Sequence, residues 1–526
     1  MIALRAQVTF RDVPAKLVGK AVTAPPRPVR ITPVPLTTLV ARANARALRP
    51  PDHELPVSGI TLRAQHVLPG DVFAALPGAH VHGADFAEGA VRAGAVAVLT
   101  DAAGAARPAL RDVPVLVHDD PRRVLGEMAA WIYGEPSLRL AVMGVTGTSG
   151  KTTTTYMIDA GLRAAGITTG LVGTVETRIA GERLASAFTT PEAPDLQALL
   201  AVMVERGVTH APMEVSSHAL SMGRVNGTRY RVGAFTNLSR DHLDFHPTME
   251  DYFQAKALLF DGRSSAEVVC VDGEWGRRLV TPKTVTVATE GAGDWTASGV
   301  TTSVTGEQAF VVHGPGGLEM PVTLPMPGGF NIANALVAAA CLHEVGVGAA
   351  DIAAGLAAVQ VPGRMERVVL GQDYTAVVDY AHKPAAVALA LDAMRARTDR
   401  RVIVVLGCGG DRDVEKRPMM GEAAARRSDL LIVTDDNPRT EAPTAIRAAM
   451  RAGAEAVPPG ERGDILDIGD RRTAITEAVN RAGPGDVVVI AGKGHETGQE
   501  IDAVVHPFSD LDELEAAIRT RLEADK

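Results

Sequence analysis

The chain has 526 residues, 46% of them hydrophobic and 22% charged, with a formal net charge of −9. That balance suits a soluble globular protein and argues against a nucleic-acid partner or membrane insertion. Three cysteines, Cys270, Cys341 and Cys408, offer neither a disulfide framework nor metal-ligand spacing, and no stretch reaches the ~20 apolar residues of a membrane span.

Residues 1–35 are basic and run into a Pro-rich stretch, without the continuous apolar core of a signal peptide. A disordered tail and a cytoplasmic location are expected. Residues 36–137 read as a small α/β unit. In it "AVRAGAVAVLT" is a helix running into a strand at 96–99, and "VPVLVH" is a second strand at 113–118. Residues 138–361 open with an apolar strand at 140–145, a Gly-rich turn and a helix from Thr152 onward. Further on, "GGFNIANALVAAACLHEVG" at 328–346 is a helix bracketed by glycines. Residues 362–526 alternate strands at 376–380, 402–406, 430–434 and 487–491 with helices at 384–396, 420–427, 442–454 and 471–481. Alternation of this kind predicts a doubly wound parallel sheet. The expected architecture is therefore α/β in three domains. A small N-terminal α/β domain precedes a central P-loop ATPase-type parallel sheet and a Rossmann-like C-terminal domain.

"GTSGKTTT" joins the 140–145 strand to its helix. Its glycines let backbone N–H groups turn inward, and the helix start adds partial positive charge. Gly147, Thr148, Ser149, Gly150, Lys151, Thr152 and Thr153 thus read as a phosphate cradle. Lys151 is placed to reach the β- and γ-phosphates, and the Thr152 hydroxyl to bind Mg²⁺. The strict GxxxxGK[ST] spacing is not met from either Gly144 or Gly147, so strand, turn, Lys-Thr and helix carry the assignment together. "MEVSSHAL" places Glu214 at a strand end, where a carboxylate can hold Mg²⁺. "FTNLSRDHLDFH" gathers Asn237, Asp241, His242, Asp244 and His246 in one loop. Lys256 follows on the amphipathic "MEDYFQAKALLF", where by itself it reads as a snorkelling surface lysine. In the last block "TDDNPRTEAP" follows the apolar run at 430–433. Ligands of open α/β sheets bind at such a strand end, so Arg439 is a candidate anion contact.

Six motifs in one order, "GTSGKTT", "TTPEAPD", "MEVSSHAL", "TNLSRDHLDFH" with "AKALLF", "NIANA" and "DYAHKP", resemble those of the Mur ligase family over about residues 55–510. The resemblance implies an ATP- and Mg²⁺-dependent, ADP-forming peptide synthase of peptidoglycan precursor synthesis. It implies that ATP phosphorylates a UDP-linked carboxylate and that an amine attacks the acyl phosphate through a tetrahedral intermediate. It implies catalytic roles for Lys151, Glu214, His242 and a carbamylated Lys256, the last three with Thr152 at the metal. Asn331, Asn334, Arg364, Asp379 and His382 match further ATP contacts. Leu62, Ala64, His80, Thr189, Thr190, Ser217 and Arg224 match positions that hold the UDP-sugar peptide. Ala64 replaces a serine found in many relatives, which removes a hydroxyl contact to uridine.

Within the family, the branch that adds the third residue to UDP-MurNAc-L-Ala-D-Glu is the nearest likeness. "DNPR" is associated there with meso-diaminopimelate, whose remote carboxylate a planar guanidinium can grip through two hydrogen bonds. Asp436, Asn437, Pro438 and Arg439, with Arg412, Gly492 and Glu496, are its expected contacts, Glu496 holding the distal ammonium. A monomer is expected. An L-lysine-adding form, a folylpolyglutamate synthase-like enzyme and a non-catalytic nucleotide-binding regulator are the alternatives.

Overall fold

The computed structural model describes residues 25–49, 53–78, 80–184, 189–243, 245–303 and 306–524. Among them, buried Val, Ile and Leu runs assemble three sheets, each with helices packed on it.

The first sheet is ordered Arg46–Leu48, Val115–Val117, Ala97–Thr100, Asp71–Ala74, Gly59–Thr61, parallel except for its Arg46–Leu48 edge. Both strands expected in this unit are present. The tail reading is corrected for residues 25–35, while 1–24 lie outside the described residues. Val34–Pro35 pairs with Pro56–Val57, and the Arg27 guanidinium donates to both Asp71 oxygens at 2.7 and 2.8 Å. A charge-assisted pair to a carboxylate that is 1% exposed anchors a segment whose composition alone suggests disorder.

The central sheet runs Glu182–Leu184, Thr177–Ile179, Gly170–Val172, His210–Glu214, Ala141–Thr146, Tyr230–Phe235, Ser264–Cys270, Thr284–Val287. Its middle strands are parallel and buried over most of their length, exposed only near their starts, which explains their largely apolar sequences. Helix Lys151–Ala164 packs against Gly329–Glu344 and Ala349–Ala358. Small residues allow this: a Cβ on Gly355 would stand 2.4 Å from the Gly161 Cα. Antiparallel strands Thr296–Thr302, Gln308–Gly314 and Leu318–Leu324 form a small separate sheet, which the periodicity reading did not register.

The third sheet is ordered Glu366–Val368, Thr375–Asp379, Val487–Ala491, Val402–Leu406, Leu430–Val433, Asp464–Asp467, parallel but for the first strand. The four expected strands and four expected helices all form, the helix expected at 420–427 starting earlier, at Lys416. The link from the central sheet passes Gly363 and Met365 at φ 65° and 49°. The Asp379 carboxylate pins it by accepting the Met365 N–H at 2.8 Å. The three cysteines are buried and not disulfide-bonded.

Candidate active site

Strand Ala141–Thr146 ends in the centre of its sheet, and the chain turns through Gly147 (φ 151°) and Gly150 (φ 86°) into helix Lys151–Ala164. Neither glycine has room for a side chain. A Cβ on Gly147 would lie 1.9 Å from the Thr236 hydroxyl, and one on Gly150 would lie 2.3 Å from Asn334 Oδ1. The loop is braced from the next strand: Thr148 N–H donates to the Asn237 carbonyl at 2.8 Å, and Ser149 N–H to Asn237 Oδ1 at 3.0 Å. The Lys151 ammonium folds back on the Gly147 and Thr148 carbonyls at 2.9 and 3.1 Å.

This loop forms one wall of a cleft of about 1150 Å³ between the central and third sheets. Residues from Thr148 to Thr153 line it, together with Thr189, Thr190, Glu214, Arg224, His242, Asn331, Asn334, Arg364, Asp379 and His382. From the third sheet come Arg412, Asp436, Asn437, Arg439, Gly492 and Glu496. Most of the expected site residues are thus brought to one cavity from distant parts of the chain.

Cations dominate the end of the cleft near Lys151. Burial and the neighbouring Lys383 push the Lys151 ammonium down to about 8. Lys256 is 1% exposed and donates to the Gly147 carbonyl at 2.8 Å, with the Tyr252 ring 4.6 Å from its Nζ. The snorkelling reading of Lys256 is thereby overturned: the side chain is inside, because Ala255, Tyr252 and Phe253 on its helix are buried with it. Burial, then Lys151 and Lys383, hold its ammonium well below the usual lysine range. Lys383 itself pairs with Asp241 at 2.5 Å. Burial works to raise the Asp241 carboxyl, but Lys383, His242 and His382 together outweigh it and keep that group well below the carboxylate range. His242, at φ 53°, meets the same carboxylate at 3.0 Å, and burial pushes it down to about 4.

Glu214, 1% exposed, accepts from the Thr174 N–H at 2.8 Å and from its hydroxyl at 3.1 Å. Among the described residues no three His, Cys, Asp or Glu side chains could hold a metal by themselves. The Thr152 hydroxyl and Glu214 carboxylate are hard oxygen donors on one wall, a set that fits Mg²⁺, an ion usually held by one or two carboxylates plus phosphates and water. Asn331 and Asn334 are buried behind the loop, Asn334 Nδ2 donating to Asn331 Oδ1 at 3.2 Å. Arg364 lies over the Tyr380 ring at 4.1 Å and reaches the Thr152 hydroxyl at 3.5 Å. Asp379 is occupied by the backbone: besides Met365, its carboxylate takes the Ala381 N–H at 2.8 Å. His382 donates Nδ1–H to the Tyr380 carbonyl at 2.7 Å, and burial pushes it down to about 3.

At the other end, Arg439 sits at φ 53°, donates to the Gly410 carbonyl at 2.7 Å and meets Glu500 at 3.3 Å. Arg412 is exposed on the cleft rim. Pro438 stays out of the lining, its carbonyl accepting the Glu441 N–H at 3.1 Å. Glu496 Oε2 is taken by the Asn437 amide at 2.9 Å and by the fully buried Lys493 at 3.1 Å.

Leu62, Ala64 and His80 belong to the first unit and do not line this cleft; Leu62 packs on its core, and His80 is exposed. Thr190 and Ser217 are buried. The Thr190 hydroxyl donates to the Glu214 carbonyl at 2.9 Å, and the Ser217 hydroxyl lies 3.0 Å from His246 Nε2. Arg224 pairs with Glu192 at 2.9 Å, and Thr189 lies 3.0 Å from the Thr174 hydroxyl. Asp244 lies outside the described residues. Sequence reasoning missed Lys383, Lys493 and Thr174. The two lysines stand unmarked within "DYAHK" and "GKGHE", since Asp241, which pairs with Lys383, and Asn437 and Asp436, which Lys493 reaches, are remote in sequence.

The fold and cleft define a nucleotide-dependent α/β enzyme of several domains, and comparison places it more closely. Three family descriptions match consecutive segments: "Mur ligase family, catalytic domain" over 56–133, "Mur ligase middle domain" over 145–342, and "Mur ligase, glutamate ligase domain" over 363–494. The chain is 52% identical to the UDP-N-acetylmuramoyl-L-alanyl-D-glutamate--2,6-diaminopimelate ligase of Streptomyces coelicolor, covering 94% of this chain and 98% of that one. It is 51% identical to the ligase of the same name from Corynebacterium efficiens, covering 92% and 95%. A solved structure of a ligase so named superposes with a TM-score of 0.67 at 30% identity, covering 93% of this chain and all of the other. The chain belongs to the Mur ligase family.

Proposed function

We propose that this protein is the ATP- and Mg²⁺-dependent ligase that adds meso-diaminopimelate to UDP-MurNAc-L-Ala-D-Glu, forming ADP and phosphate. The observation that carries this is the single cleft that joins a phosphate loop to an Arg439-Arg412 pair, in a chain about half identical to ligases of that name.

The γ-phosphoryl group passes to the D-glutamate side-chain carboxylate, giving an acyl phosphate. The amine of the incoming amino acid then forms the C–N bond, and phosphate leaves from the tetrahedral intermediate. Each step concentrates negative charge between reacting groups that must be held in line. Backbone N–H groups of Gly150 and Lys151 and the Lys151 ammonium bind the phosphates, while those of Thr148 and Ser149 are held by Asn237 and shape the loop. Arg364 and Lys383, carried by the third sheet, bring positive charge to the transferring group. Thr152 and Glu214 hold Mg²⁺, which when bound neutralises phosphate charge. Lys256 is neutral more readily than an exposed lysine, and a neutral amine is the form that CO₂ carbamylates; the carbamate supplies a negative group beside the loop. Asn331 and Asn334 are assigned to the adenine, and Thr189, Thr190 and Arg224 on the cleft wall, with Ser217 behind it, to the peptide. The uridine is assigned to the first unit, near Leu62, Ala64 and His80. Residues 36–137, 138–361 and 362–526 then act as the UDP-, ATP- and amino-acid-binding domains of a monomer.

Arg439 distinguishes the two amino acids. L-lysine has no remote carboxylate to take the guanidinium hydrogen bonds that Gly410 and Glu500 leave open. Phosphate release measured with UDP-MurNAc-L-Ala-D-Glu, with meso-diaminopimelate and L-lysine in parallel, tests the reading. Equal turnover of both overturns the diaminopimelate assignment, and turnover of neither overturns the ligase.

A further inference from the structure

Lys493 has no exposed surface, yet its ammonium lies behind the amino-acid end of the cleft. It reaches three acceptors there: Asn437 Oδ1 at 3.0 Å, Glu496 Oε2 at 3.1 Å and Asp436 Oδ1 at 3.4 Å. All three acceptors line the cleft, and Lys493 does not. A buried ammonium is retained only where acceptors compensate its lost hydration. The arrangement has two consequences for the groups in front of it.

The first is orientation. Asn437 Oδ1 also accepts the Glu500 N–H at 3.0 Å. Two donors at that oxygen forbid the flipped amide, so Nδ2 must point at Glu496 Oε2, which it meets at 2.9 Å. Glu496 is then held through one oxygen, and Oε1 is left for the cleft. The second is charge. Asp436 and Glu496 carry two negative charges and Lys493 one positive, which leaves the trio a single net negative charge at the end of the cleft that Arg412 and the Glu500-paired Arg439 also line. A substrate terminus carrying both an ammonium and a carboxylate matches that pairing. A terminus with an ammonium alone does not.

Resting on the reading of the cleft as a diaminopimelate site, we infer that Lys493 is a positioning and charge-setting residue that makes this end of the cleft selective for a zwitterionic terminus over a simply cationic one. Removing its charge leaves the trio with two negative charges and a loosened Glu496, which favours a bare ammonium. Removing Asp436 does the reverse.

The test is steady-state kinetics of the full chain on meso-diaminopimelate and L-lysine, for the parent, Lys493→Met, Asp436→Asn and the double variant. Turnover of diaminopimelate by the parent decides the underlying reading separately. With it in place, Lys493→Met is expected to lower the diaminopimelate-over-lysine ratio of kcat/KM by about tenfold or more, as one unit charge a few ångströms away requires. The change enters through KM for the amino acid, with KM for ATP unmoved. Asp436→Asn raises the ratio, and the double variant returns towards the parent because the net charge is restored. A merely structural lysine would shift both KM values together, and the second substitution would not rescue it. An unchanged ratio in Lys493→Met, or a double variant no closer to the parent than the single, overturns the inference. Should Lys493→Met not fold, Asp436→Asn alone decides, and a ratio that stays level or falls overturns it.

Discussion

The Lys256 ammonium donates to the carbonyl of Gly147 over 2.8 Å, so a lysine of the 249–257 helix is tied to the first turn of the phosphate loop. Its depressed basicity and its position follow from the same burial. Lys256→Ala is expected to abolish ligase activity, because it removes both the loop contact and the group proposed to become the carbamate. Partial recovery on adding acetate or another small carboxylate, seen as phosphate release, is the expected signature. Absence of recovery at every concentration speaks against the carbamate.

Arg439→Ala is expected to raise KM for diaminopimelate far more than KM for ATP. Loss of one partly buried charge-assisted pair costs about 2–5 kcal/mol, most of it at the amino acid, since Arg439 contacts Gly410 and Glu500 rather than the phosphate loop. Kinetics identical to the parent sink the assignment.

Gly150→Ala meets two obstacles, a φ of 86° and the Asn334 side chain 2.3 Å from the new Cβ. Left-handed strain in a non-glycine residue costs on the order of 1–3 kcal/mol, and the clash adds to it by pushing Asn334 aside. Calorimetric titration with ADP is expected to show at least tenfold weaker binding. An unaltered Kd would mean that the loop does not bind nucleotide in this conformation.

Asp241 and Lys383 connect the central and third sheets, with Arg240 and Glu415 paired beside them at 3.0 Å. The Arg240–Glu415 pair is exposed and contributes little. Asp241–Lys383 is more sheltered, and it works against hinge opening at 363–365. Asp241→Asn is expected to increase the radius of gyration in small-angle scattering at physiological salt. A profile superimposable on the parent's, with nucleotide absent, removes the latch.

His495 contributes to acid sensitivity. Burial first, then Arg364, push its imidazole down to about 3. The unfolded chain therefore takes up a proton near pH 6.5, while the folded state resists until about 3. Stability is lost as pH falls through that window, at about 1.4 kcal/mol per pH unit for one such group. His495→Gln is expected to flatten the fall of the urea midpoint between pH 6 and 4, at about those values. A slope equal to the parent's would show that His495 does not titrate as described.

The sequence by itself determined the local elements and the strand, glycine turn and helix around Lys151. The strands at 402–406 and 487–491 were legible because strands buried on both faces must be continuously apolar. The turn through Gly147 and Gly150 was legible because a positive-φ turn with no room for a side chain admits few other residues. The sheet of 296–324 was not, since half-exposed, Thr- and Gly-containing strands carry a weak pattern. Residues 25–35 were misjudged because composition cannot register an anchor like Asp71, far along the chain. Tertiary structure alone decided that Lys256 is buried, that Asp379 pins the linker, and that Arg364 reaches Thr152 across 212 positions. It alone set Lys493 behind Asn437 and Glu496. Burial and pairing are properties of neighbours in space, and side chains far apart along the chain acquire them only when the sheets pack.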